Sequence, residues 1–199
     1  MRWKGDEKRG KGFEAGRTMR LALYNFGMFA KASLHPENDD FHFLNDLILP
    51  QVDKAAGLVG RSGYDGEPGP KSWGTQVYPR FYQEQGDGWA PSTLSLWLDL
   101  ESAMAFSYFG LHASALKRGR EWFVKPQWPP YVLWWVEDAE TPEWKDAVVR
   151  HEYLNDHGPS AHAFTFKQAF DPAGNPLAVD HAKIKAVASQ NAAILGAKS

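Results

Sequence analysis

TLSLWLDLESAMAFSYFGLHASALKRGREWF, residues 93–123, is the stretch whose reading decides the fold. Thr93–Leu98 is an apolar run of strand length, and beyond Asp99 the apolar period changes from two to about 3.6. The spacing predicts a strand that passes directly into a long helix, with Asp99 as N-cap. Leu100, Ala103, Phe106 and Ser107 fall on one side of that helix, and Gly110 is the residue at which it divides. In the second piece His112, Ala115, Leu116, Gly119, Arg120 and Phe123 share a face at spacings of three and four. The stretch also carries Tyr108, Arg118 and Trp122, so it holds the densest set of candidate functional side chains.

Working outward, RLALYNF at 20–26 reads as a strand with mainly apolar residues on both faces, which calls for cover on both sides. Asn25 is a polar group inside it and needs partners. Asn38, Asp39 and Asp40 offer caps for a helix carrying Phe41, Leu44, Ile48, Val52 and Ala55, with a kink or restart at Pro50 and a stop at Gly57. Leu58–Arg61 is a second strand. Residues 62–72 form a Gly- and Pro-rich loop, 73–82 an edge strand containing Pro79, and 83–92 another loop. Pro-rich 125–130 is extended, and Tyr131–Val136 is a central strand. Thr141–Pro142 reads as the start of a helix with Trp144, Ala147, Val148, His151 and Leu154 as its stripe. AHAFTFK at 161–167 reads as a last strand, 171–176 as a turn, and Asp180 as the cap of a final amphipathic helix.

This order predicts one α+β domain over 20–167, an antiparallel sheet of ferredoxin-like plan with helices on one face. Residues 1–19 read as a disordered tail, and 168–199 as a turn with the amphipathic helix. A single helical layer leaves an apolar, ring-rich sheet face for a second copy to cover across a two-fold axis, so a homodimer is expected. The chain has 199 residues, 43% of them hydrophobic, enough for a real core. Its net charge of −2 argues against nucleic-acid binding. It has no cysteine, which excludes disulfides and thiolate chemistry and fits a cytoplasmic protein. No apolar run reaches bilayer length, and the charged N-terminus lacks a signal-like apolar core.

The segments LALYNFGMF, GLVGR, TLSLWLDLESAMAFSYFGLH, REWF, YVLWWV and GPSAHAFTF, in order over about Leu21 to Phe166, resemble the domain of unknown function family numbered 3291. That family resembles the dimeric α+β barrel superfamily, which includes antibiotic-biosynthesis monooxygenases, muconolactone-isomerase-like enzymes and several haem proteins. The resemblance implies a fold, a homodimer and a pocket between sheet and helices. It carries no catalytic residue with it.

Candidate chemistry therefore comes from the residues themselves. His112, amid Tyr108, Leu111, Leu116 and Arg120, suits an acid/base group, or alternatively a haem ligand or a histidine bonded to a backbone carbonyl. Tyr24 and Asn25 on a central strand suit orientation of a substrate carbonyl or phenol. Arg80, leaving an apolar edge segment, suits a carboxylate or phosphate, or alternatively a structural ion pair, and Trp97, Tyr108 and Trp134 suit the walls of a pocket for a hydrophobic small molecule. His151, Asp156, His157 and His162 match no metal-ligand spacing and read as surface groups, so no metal site is expected. No phosphate loop and no GxSxG elbow is present. The function expected is a cofactor-independent oxygenation, or an isomerisation or cyclisation, of a hydrophobic or aromatic substrate. The alternatives are a haem protein and a non-catalytic binding module.

Overall fold

A computed structural model describes residues 18–196. The tail expected over 1–19 thus lies almost wholly outside the described residues. Strand β1 (Met19–Phe26) pairs on one edge with β3 (Ser92–Trp97) and on the other with β4 (Tyr131–Glu137), and β2 (Leu58–Arg61) pairs with β3. The result is a four-stranded antiparallel sheet of order β2-β3-β1-β4 in an α+β chain. Directly opposed residues of antiparallel strands share a face. Tyr24 lies opposite Leu94 and Val132, and Leu23 opposite Ser95 and Leu133. One face therefore presents Ala22, Tyr24, Phe26, Leu94, Leu96 and Trp134, and the other presents Leu21, Leu23, Trp97 and Leu133.

The strand-to-helix unit forms as its spacing predicts. Asp99 accepts a hydrogen bond from Ser102 N at 2.8 Å and caps α2 (Leu100–Tyr108). The chain then breaks at Gly110, whose φ of +63° suits glycine, before α3 (Gly110–Trp122). Leu100 and Ala103 pack on the Leu21 face with Trp97 and Leu133. Helix α1 (Asp39–Val52) packs on α3, and α5 (His181–Gly196) packs on α2, so the main helical layer stands on this side of the sheet. Pro50 does not restart α1, because it falls within the last turn. Asp180 caps α5 through Ala182 N and Lys183 N, and Lys183 reaches Asp99 at 2.9 Å, which seats α5 on its own chain's α2.

The Tyr24 face is not left bare. Helix α4 (Trp144–His157) lays Trp144, Ala147 and Leu154 against it, and Tyr64, Trp73, Tyr78, Phe81 and Tyr82 from the 62–91 connection pack around them. The apolar surface reserved in the sequence reading for a second copy is thus covered within the chain. Each buried ring removes roughly 150–250 Å² from water, which at about 25 cal/mol/Å² offsets the ordering cost of an irregular segment.

Three segments differ from expectation. Residues 73–82 form no edge strand; Trp73 N donates to Ser62 Oγ at 2.9 Å and Arg80 N to Glu152 at 2.7 Å, so side chains rather than a ladder hold this backbone. Helix α4 starts two residues beyond Pro142, because Glu143 and Asp146 form a reciprocal capping box there. The strand expected at 161–167 shrinks to isolated bridges: Phe164 with Leu133, and the local pairs Ser160–Ala163 and Thr165–Gln168, with turns between. After it come the short hairpin strands β5 (Ala169–Phe170) and β6 (Pro176–Leu177). Among the described residues no helix is long and apolar enough to cross a membrane.

Gly63 sits where the connection folds back on itself: a Cβ there would lie 1.7 Å from Pro70 O, whereas one at Gly66 (φ +79°) meets nothing. Gly63→Ala is expected to lower stability in urea titration by about 2 kcal/mol or more, and Gly66→Ala by about 1 kcal/mol. Equal small losses at both positions would contradict the close approach.

Candidate functional site

The strongest concentration of unmet polar chemistry lies beneath α4. Trp144, Ala147, His151 and Leu154 recur at helical spacing and point at the sheet, and His151 is fully buried. Its ring stands 5.5 Å from that of Tyr24, which is itself 6.2 Å from the Trp144 ring. His151 Nε2 is bonded to the carbonyl of Pro129. A carbonyl only accepts, so Nε2 carries the proton and Nδ1 is left with a lone pair. His151 Nδ1, Tyr24 Oη, Trp144 Nε1 and Trp128 Nε1 are all buried without a hydrogen-bond partner.

An unsatisfied buried polar atom costs about 1–3 kcal/mol. Four of them together cost on the order of 4–12 kcal/mol, comparable with the net stability of a domain, about 5–15 kcal/mol. In folded proteins such atoms are met by ordered water or by a ligand. Electrostatics keeps both key groups neutral. Burial lowers the His151 pKa from its ordinary value of 6.5, against smaller upward pulls from the Pro129 carbonyl and Glu152. Burial likewise pushes the Tyr24 phenol up. A neutral donor and a neutral acceptor therefore stand side by side in aromatic surroundings.

The cover of this site is the 62–91 connection. Phe81 stacks on Trp128 at 5.3 Å and meets the His151 ring edge-on at 5.6 Å. Tyr64 stacks on Trp144 at 5.8 Å, and burial pushes its phenol up to about 12. Arg80 clamps the connection to α4 through Glu152 and Asp156. That bond holds the Asp156 carboxyl below its usual range.

The expected site residues separate onto two sides. Tyr24, Trp134 and Arg80 belong to the α4 side, although Arg80 is exposed and its carboxylate partners come from its own chain. Asn25, Trp97, Tyr108 and His112 belong to the other side. Asn25 accepts from Thr93 N at 3.2 Å, Trp97 Nε1 donates to Ser95 Oγ at 2.9 Å, and the Tyr108 hydroxyl lies 3.4 Å from that of Tyr131.

His112 Nδ1 bonds to the Ser107 carbonyl at 2.9 Å, so this ring too is a neutral acceptor at Nε2, with its pKa lowered by burial. It lines a cleft of about 80 Å³ between α1, α2, α3 and α5. That holds a few waters, well under the roughly 300 Å³ at which small-molecule sites begin. The seven candidates from the sequence do not converge on one point. The residue that sequence reasoning undervalued is His151. Grouped with His157 and His162 it read as a surface histidine, although its place in the Trp144–Leu154 stripe signalled burial.

Over residues 20–179 the chain matches the family described as "Domain of unknown function (DUF3291)". The chain belongs to this family. Among solved structures it is similar to the "crystal structure of NE2512 protein of unknown function from Nitrosomonas europaea", at 12% identity and a TM-score of 0.37, covering 64% of this chain and 96% of that one. No curated protein matches it. For this family member the site must therefore be argued from its own atoms.

The depressed His151 and His112 pKa values give stability a definite pH dependence. Both groups bind protons more readily in the unfolded chain, so stability is full above about pH 6.5 and falls as pH drops below it, by at most about 1.4 kcal/mol per pH unit per histidine. Thermal or urea unfolding of His151→Phe between about pH 7 and pH 5 should show a shallower slope than the unsubstituted chain; identical slopes would place His151 in solvent. Arg80→Ala should raise amide hydrogen exchange across residues 62–91 while leaving β1 amides protected. Unchanged exchange in the connection would show that Arg80 does not clamp it.

Proposed function

We propose that the chain binds a small, flat, mostly apolar molecule bearing a carbonyl or phenolic oxygen between the sheet and its α4–loop cover, and catalyses a proton-transfer isomerisation or cyclisation of it. The observation that carries this reading is the adjacent pair of buried, unpartnered groups, the Tyr24 hydroxyl and His151 Nδ1. In the reaction His151 Nδ1 takes a proton from the carbon beside the carbonyl and the electron pair moves toward oxygen. The Tyr24 O–H donates a hydrogen bond to that oxygen, and the proton returns to a different carbon. The step is redox-neutral and needs no oxidant, which favours isomerisation over oxygenation. Access requires the Arg80 clamp and the Phe81–Trp128 stack to part.

The strand order and the βαββαβ sequence of elements support a ferredoxin-like plan for the sheet. A barrel closed by a second copy has less behind it, because the ring-rich face is occupied by α4 and the 62–91 connection. Complete burial of Tyr24 and His151 favours a second reading, a binding or interaction module in which the pair only holds a ligand.

Methyl phenylpyruvate, an uncharged aromatic carbonyl compound with a measurable enol, separates the two readings. The chain should bind it in native mass spectrometry and speed its keto–enol exchange, followed by enol absorbance. Tyr24→Phe and His151→Gln should each slow that exchange roughly 10²- to 10⁴-fold. Binding with exchange unchanged in both variants leaves the binding module, and absence of both binding and exchange removes both readings for this class of ligand.

A further inference from the structure

A second concavity lies on the outer side of α4, independent of the Tyr24–His151 pair. It is an open groove of about 520 Å³ between the end of β4 and the first turns of α4, within the size range of small-molecule sites. Its apolar wall includes Val136 and Val149, and Trp134 forms its base. The Arg150 guanidinium carbon lies 5.5 Å from the centroid of the Trp134 ring, which holds the cation over the ring.

Arg150 differs from four other arginines among the described residues. Arg20, Arg61, Arg80 and Arg118 each have a carboxylate within ion-pair distance. Arg150 instead donates from Nη1 to the carbonyl of His162, with His162 Nδ1 3.3 Å away, and has no carboxylate at that range among the described residues. Since a guanidinium only donates, His162 Nδ1 accepts from it and the ring's proton sits on Nε2. One rim of the groove thus offers a guanidinium fork and an imidazole N–H. The same groove is lined by Glu140 and Asp146. Asp146 accepts from Glu143 N at 3.0 Å through one oxygen, which anchors its carboxylate at the start of α4.

We propose that this groove binds a small amino carboxylate, with the ligand's carboxylate on Arg150 and His162, its ammonium on Glu140 and Asp146, and an apolar side chain against Val136 and Val149. Charge counting selects the zwitterion. A simple anion would meet two carboxylates for one guanidinium, and a simple amine would meet the unpaired guanidinium. A planar fork with its ring support already in place loses little freedom when it takes a carboxylate.

Calorimetric titration with L-leucine, isocaproate and isoamylamine tests the proposal, since the last two keep the carbon skeleton and lack the ammonium or the carboxylate. L-leucine should bind with a Kd of about 1 mM or tighter, at least tenfold tighter than either analogue. Arg150→Gln should weaken L-leucine at least tenfold. Glu140→Gln, on an exposed side chain outside the packing, should weaken L-leucine while leaving isocaproate no weaker, because the anion loses a repelling carboxylate, and it decides the matter should Arg150→Gln disturb the Trp134 packing. Isocaproate binding as tightly as L-leucine, no heat with L-leucine up to about 10 mM, or L-leucine affinity unmoved by Glu140→Gln would each overturn the proposal. None of these outcomes bears on the Tyr24–His151 pair, whose assay uses a different ligand and different variants.

Discussion

β1 is hydrogen-bonded along both edges and apolar on both faces, and the rest of the fold answers to that constraint. Leu21, Ala22 and Tyr24 are fully buried, Leu23 and Phe26 nearly so, and successive side chains point in opposite directions. A strand of this kind needs two covers. Helices α1, α2, α3 and α5 form one. The other is assembled from α4 and from a connection that has no regular structure and is held by its rings.

The second cover explains why polar atoms end up inside. A cover made of aromatic side chains brings N–H and O–H groups with it, because Trp and Tyr carry a polar atom on a large apolar body. Most find partners: the Tyr64 hydroxyl donates to Ser92 O at 2.8 Å, and Tyr78 accepts from Ala90 N at 3.2 Å. Tyr24, Trp128, Trp144 and His151 keep an unpartnered atom each. Of the six buried side-chain atoms without a partner among the described residues, these four gather on one side of the sheet around one histidine, whereas Arg20 Nε and Asn191 Nδ2 lie elsewhere. The His112 cleft offers one half-buried acceptor and little room, so it is the weaker claimant although its histidine was the more visible one in the sequence.

The regular elements were legible because they rest on local rules: the period change at Asp99, the glycine at 110, the alternation of β1, the cap at Asp180. Long-range choices were not. Residues 73–82 alternate well enough to suggest a strand, yet Trp73, Tyr78 and Phe81 turn into the core instead. The need for two covers was already present in Leu21–Phe26, but the sequence does not say that α4 would cross to the other face, because stripe residues name what is buried and not against what. For the same reason Tyr24 is legible as a buried strand residue and its contact with His151 is not. His151 lies far along the chain, and only the helix crossing brings the two rings to 5.5 Å. Structural pairing of Arg80 is legible as one of its two readings, but its ion-pair partners, Glu152 and Asp156, are equally distant in sequence and are not.

The account depends on a buried, neutral imidazole at position 151 whose Nδ1 is free to accept. Nitrogen-15 NMR of the histidine rings at neutral pH reads that state directly. The Nε2-protonated tautomer, with Nδ1 unprotonated and the ring proton protected from solvent exchange, is the predicted result. A charged ring, the Nδ1-protonated tautomer, or rapid exchange with water would show that the Tyr24 face is open or the pair differently arranged, and would contradict the account.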